Sequence, residues 1–149
     1  MAIERSLNGD RIYLMGNGIY EENIVFNGKN VKLMHYFYSD LETENCIKIE
    51  EPIINNLQIK GYNHGPVLQI LPGEDEVEVC GITIIEGEAN YGGGIYISEA
   101  SPLIESVKIV DNQSSSHGGG IYADGFYGEL KNIYIGDNKS FGDGGGIYL

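Results

Sequence analysis

Short runs of the form apolar–polar–apolar recur along this chain at nearly constant spacing. One file reads Ile12-Tyr13-Leu14, Val31-Lys32-Leu33, Leu57-Gln58-Ile59, Ile82-Thr83-Ile84, Val107-Lys108-Ile109 and Ile133-Tyr134-Ile135. The starts of these runs are 19, 26, 25, 25 and 26 residues apart. A second file reads Ile47-Lys48-Ile49, Leu68-Gln69-Ile70, Ile95-Tyr96-Ile97, Ile121-Tyr122-Ala123 and Ile147-Tyr148-Leu149. A third, weaker file holds Ile54, Val79, Ile104 and Leu130. Alternation with a period of two turns the flanking residues inward and the middle one outward. Three short strands per repeat, with no helical period between them, form one coil of a solenoid whose coils stack in parallel at about 4.8 Å. The pattern therefore predicts an all-β fold, a right-handed parallel β-helix of about five to six coils with three short strands per coil, in one domain over residues 1–149. An antiparallel sandwich would call for hairpin turns and would not place residues in stacked files.

The corners follow the same period. Gly-Gly-Gly-Ile-Tyr occurs at Gly92–Tyr96, Gly118–Tyr122 and Gly144–Tyr148, at intervals of 26 residues. Asn112 and Asn138 lie six residues before the last two copies, and Gly87 holds the equivalent place one coil earlier. Asn and Gly enter left-handed backbone most readily, so these positions are expected to be left-handed corners. Stacked Asn amides would also hydrogen-bond to one another and satisfy corner groups.

Ile109-Val-Asp-Asn112 with Gly118–Tyr122, and Ile135-Gly-Asp-Asn138 with Gly144–Tyr148, resemble the repeats of chlamydial polymorphic outer-membrane proteins and autotransporter passengers. The family's motif pair is Phe-x-x-Asn and Gly-Gly-Ala-Ile; this chain has Ile in place of Phe and Gly in place of Ala. The stretch Gly9–Asn30 looks like the opening coil of pectin-lyase-like β-helix proteins. The resemblance implies a bacterial β-helix protein at the cell surface or outside the cell. It leaves the activity open, because that superfamily holds polysaccharide lyases and glycosidases as well as adhesins. The family usually caps its first coil with an amphipathic helix, and the segment before Asp10 is too short for one. The repeat breaks off at Leu149, so the chain is expected to be part of a longer solenoid or to cover its ends by self-association.

Charge narrows the partners. The net charge is −13, and Arg5 and Arg11 are the two arginines of the chain. A nucleic-acid binder needs clustered Lys and Arg, so that class is disfavoured, as is an anionic membrane surface. No apolar run approaches the ~20 residues of a transmembrane helix. No signal-peptide pattern shows in Met1–Asp10, which leaves the compartment open. Cys46 and Cys80 lie in apolar strand-like runs without metal or redox spacing and read as two buried free thiols.

Candidate chemistry comes from the outward residues. Tyr96, Tyr122 and Tyr148, in file with Lys48 and Gln69, would form a ladder of phenol rings against which a sugar or a protein could pack. Such a ladder can also serve only to steady its strands, at about 0.2–1 kcal/mol per pair. Glu74, Asp75 and Glu76 are the densest acidic cluster and read as a solvated loop, with Ca²⁺ as the one cofactor they suggest. His35, His64 and His117 have no metal-ligand spacing and read as surface residues, the last two sharing one corner with Tyr91 and Asp143. The expected function is a non-catalytic structural or binding module for carbohydrate or protein. The alternative is a carbohydrate-active enzyme, lyase or glycosidase, or its inactive remnant, with two carboxylates flanking one bond.

Overall fold

The computed structural model describes residues 2–36, 46 and 57–149. One helical turn, α1 (Ala2–Arg5), precedes the first coil. That coil contains β1 (Arg11–Leu14), β2 (Ile19–Glu21) and β3 (Ile24–Val25), and the next contains β4 (Lys32–His35), β5 (Gln58–Lys60) and β6 (Leu68–Ile70). The third carries β7 (Glu78–Cys80), β8 (Thr83–Ile85), β9 (Glu88–Tyr91) and β10 (Ile95–Ala100). The fourth carries β11 (Leu103–Glu105), β12 (Lys108–Val110), β13 (Gln113–His117) and β14 (Ile121–Phe126). The last holds β15 (Glu129–Lys131), β16 (Tyr134–Gly136), β17 (Lys139–Ser140) and β18 (Ile147–Tyr148).

Strands pair in parallel between coils, giving sheets β1-β4-β7-β11-β15, β2-β5-β8-β12-β16, β3-β6-β10-β14-β18 and the shorter β9-β13-β17. The protein is a parallel β-helix. Its five rungs span about four turns between the first and fifth strand of a sheet, a slight difference from the five to six coils expected. The sequence file beginning at Ile12 merged two sheets. Ile12 and Leu33 stack with Val79, Ile104 and Leu130 in the first sheet. Ile59, Ile84, Ile109 and Ile135 stack in the second, above Tyr20. The seam lies between Val31-Lys32-Leu33 and Leu57-Gln58-Ile59, where a 26-residue step matches the period and hides the change of sheet. Ile47-Lys48-Ile49 and Ile54 lie outside the described residues, and the rung below Leu68-Gln69 is filled by Ile24-Val25. The strand of the fourth sheet is an addition to the three per coil that the pattern predicts.

The inward files make one continuous core. Ile24, Leu68, Ile95 and Ile121 stack in one wall, and Ile59, Ile84 and Ile109 in another, all at 4% exposure or less. Each such side chain contributes about 1.5–3 kcal/mol by leaving water. The last rung is more open: Leu130, Ile133 and Ile135 are only partly buried.

The glycine corners exist because successive coils approach too closely for a side chain. A Cβ on Gly94 would lie 2.7 Å from the carbonyl oxygen of Gly120, and one on Gly120 would lie 2.6 Å from that of Gly146. At the other corner the expectation needs correcting. The left-handed residues are Glu86, Asp111 and Asp137, with φ of 52°, 55° and 53°, each one position before Gly87, Asn112 and Asn138. The Asn side chains instead point inward and bond along the stack. Asn112 Oδ1 accepts from Gly87 N–H at 2.9 Å, and Asn112 Nδ2 donates to Asn138 Oδ1 at 3.0 Å.

Two further expectations are overturned. Cys46 and Cys80 are not free thiols but form a disulfide, with Cα atoms 5.8 Å apart. Alternation in β7 buries Val79 inward and turns Cys80 to the outer face, where Cys46 meets it. His35 is not a surface residue. It is 1% exposed, and its Nε2 donates to the Gly16 carbonyl at 3.0 Å.

Candidate functional site

The third sheet carries Gln69, Tyr96, Tyr122 and Tyr148 in strict register on its outer face. Each Tyr follows an inward Ile of the Gly-Gly-Gly-Ile-Tyr motif, so alternation alone points it outward. The rings of Tyr96 and Tyr122 are 5.6 Å apart at 8°, and those of Tyr122 and Tyr148 are 5.4 Å apart at 2°. These are offset-stacked pairs, in which each ring covers part of its neighbour's face. The ladder is therefore shingled rather than paved. Tyr122, in the middle, is flanked on both sides. Burial first, and then the charge of Asp124, raises its phenol above the ordinary tyrosine range.

A second file of rings, which the sequence places at one corner but not against the ladder, leans on the first. Tyr91 ends β9 and lies 4.9 Å from Tyr122, while His117 ends β13 and lies 4.7 Å from Tyr148. Each meets the ladder ring of the next coil up. His117 is held in place by accepting the Asp143 backbone N–H on Nδ1 at 2.9 Å. The signal for this file was present in the sequence: Tyr91 and His117 stand immediately before Gly92 and Gly118, one period apart.

The same corner one coil lower is built differently. Asn63-His64-Gly65-Pro66 replaces the aromatic-plus-glycine motif, and Gln69 replaces the ladder Tyr. His64 is largely exposed and lies 3.5 Å from Glu88. Between His64 and Tyr96 the surface opens into a groove of about 470 Å³. Tyr91 and Tyr96 line it together with Gln69 and Gln113. Asn90, Ser115 and Glu88 complete its polar side. Ser115 Oγ donates to Asn90 Oδ1 at 2.9 Å, which leaves the Asn90 amide as a hydrogen-bond donor. The groove lies at the foot of the ladder, on the side where Tyr96 has no aromatic neighbour below it.

The acidic loop lies elsewhere, between β6 and β7, and is not a uniformly solvated cluster. Glu74 is fully buried and accepts the backbone N–H groups of Gly28 at 2.6 Å and Leu71 at 2.7 Å. It ties this loop to the turn between β3 and β4. Asp75 and Glu76 are exposed beside it. Among the described residues no group of three or more His, Cys, Asp and Glu is placed to hold a metal ion. No helix there is long and apolar enough to cross a membrane.

Comparison of the chain with protein-family models, with curated proteins and with solved structures finds no match. The site's own geometry is therefore what carries a functional reading.

Proposed function

We propose that this protein is a non-catalytic binding module of a bacterial surface or secreted protein, and that it holds a carbohydrate chain against the tyrosine ladder and the groove below it. The observation that carries this reading is the composition of the groove. Two aromatic rings, Tyr91 and Tyr96, stand beside the amides of Gln69, Asn90 and Gln113. Rings take the apolar C–H faces of a sugar, and amides match its hydroxyls as donors or acceptors. Gln69 and Gln113 make no side-chain hydrogen bond among the described residues, so both are available to a ligand.

The resemblance of the Asn and Gly-Gly-Gly-Ile repeats to surface and secreted β-helix proteins agrees with this reading. So does the Cys46–Cys80 disulfide, because such bonds persist in oxidising compartments. Possible partners of another kind, a protein or Ca²⁺ at Asp75 and Glu76, have no comparable lining to support them.

The test is a glycan array probed with the wild-type chain and with Tyr96→Ala, followed by calorimetry on the glycans retained. We expect saturable binding that weakens about tenfold or more in Tyr96→Ala. An array with no bound glycan overturns the proposal. Release of reducing or unsaturated sugars by the wild-type chain would replace it with the lyase or glycosidase alternative.

A further inference from the structure

Resting on that reading, we infer that the groove at the foot of the ladder is a subsite for an amine-bearing sugar, with Glu88 as the counter-charge to the sugar's ammonium group. Among the residues lining the groove, Glu88 is the one carboxylate, and no Lys or Arg is present. Glu88 lies 3.5 Å from His64 Nδ1 at the groove's open edge. Glu88 shares its wall with Gln113, its register partner on the next strand, and with Asn90 and Ser115, while Gln69 and Tyr96 line the groove from the neighbouring sheet.

The wider field has the same sign. Asp124 lies close enough to the ladder to raise the Tyr122 phenol, and the chain as a whole carries a charge of −13. An anionic glycan, such as a polyuronate or a sulfated chain, would meet repulsion both at Glu88 and from the surface around it. A neutral glycan would satisfy the amides but would bring no charge to Glu88, whose one charged neighbour in the groove lining is His64. A protonated amino sugar satisfies both. Its ammonium can pair with the carboxylate while lying near the faces of Tyr91 and Tyr96, which attract cations through the ring quadrupole. Its remaining hydroxyls face the amides of Gln69 and Gln113. The ligand class this geometry selects is a linear polymer of free-amine hexosamine, bound with one residue in the groove and its neighbours along the ladder.

The experiment compares glucosamine oligomers, their fully N-acetylated counterparts and glucose oligomers of equal length and linkage, each titrated into the intact protein. Glu88→Gln keeps shape and hydrogen bonding but removes the charge, and it is exposed enough to leave the fold intact. We expect glucosamine oligomers to bind tightest. Glu88→Gln should weaken them about tenfold to a hundredfold, the range of a charge-assisted hydrogen bond, and bring them level with the acetylated series. Equal affinity of all three series, unchanged in Glu88→Gln, would overturn the amine subsite while leaving carbohydrate binding standing. Binding of none of the three, together with an empty array, would remove both.

Discussion

Asn138 accepts two hydrogen bonds from Asn112 on the same oxygen: the Asn112 backbone N–H and its Nδ2 both reach Asn138 Oδ1 at 3.0 Å. One coil earlier Asn112 Oδ1 takes the N–H of Gly87. Asn112 is thus the middle of a chain of amides, 1% exposed, with its Nδ2 also 2.9 Å from the Val110 carbonyl. Truncation would leave several buried backbone groups without partners. Asn112→Ala should cost about 2–3 kcal/mol, read as a lower urea midpoint at unchanged slope. Asn138→Ala, at the more open last rung, should cost less. Equal losses at the two positions would contradict this account of the stack.

Glu74 makes a second long-range tie, joining the loop after β6 to Gly28 in the turn before β4. Glu74→Gln keeps one accepting oxygen and replaces the other with an NH2 group that cannot accept, so one of the two backbone N–H groups loses its partner. We expect a loss of about 1–3 kcal/mol in Glu74→Gln, with Asp75→Asn nearly neutral because Asp75 is exposed. If the two variants unfold alike, the loop is not clamped through Glu74.

The disulfide closes a loop with a sequence separation of 34. Cross-links of that span stabilise by about 3–4 kcal/mol in the chain-entropy account. Protein produced under oxidising conditions should show no free thiol when denatured without reductant. The Cys80→Ser variant should melt well below the wild type. Two titratable thiols in the denatured, unreduced protein would refute the pairing.

Tyr122 sets an alkaline limit. Its phenol is raised in the folded state, so the fold retains this proton more tightly than the unfolded chain does. The associated stability is fully present below the ordinary tyrosine pKa, about 10, and is lost as pH rises through the folded value. Ultraviolet titration of the phenolate band should show a late component that Tyr122→Phe removes. The loss of stability above pH ~10 should also be shallower in that variant. An identical titration curve in Tyr122→Phe would show that the ladder does not shield its middle ring.

Much of this architecture can be read from residue pattern. The period of the apolar runs announces stacked coils, and the ladder of Tyr96, Tyr122 and Tyr148 follows from alternation after each glycine corner. What the pattern does not carry is the assignment of runs to sheets. Ile12-Tyr13-Leu14 and Leu57-Gln58-Ile59 look alike, yet they stand in different walls, because an apolar–polar–apolar triplet fits any inward-facing strand. Cys46 pairs with Cys80 at a sequence separation of 34, which bears no relation to the period. Glu74 looks like its neighbours Asp75 and Glu76, and only the approach of Gly28 from another coil makes it internal. The groove was the least legible feature of all. It arises where the repeat fails, at His64 and Gln69, and a reading built on regularity passes over such places.

The bare corners at Gly94, Gly120 and Gly146 have a consequence for how such a chain can change over evolutionary time. Gly94 and Gly120 each leave no room for a side chain beneath the glycine corner of the next coil, which follows 26 residues later. A duplication or deletion in the gene that begins and ends at equivalent points therefore inserts or removes one whole rung with matching surfaces above and below. Growth in such complete modules would lengthen the row of phenol rings by one for each copy gained, while the single polar notch at its base stays unchanged.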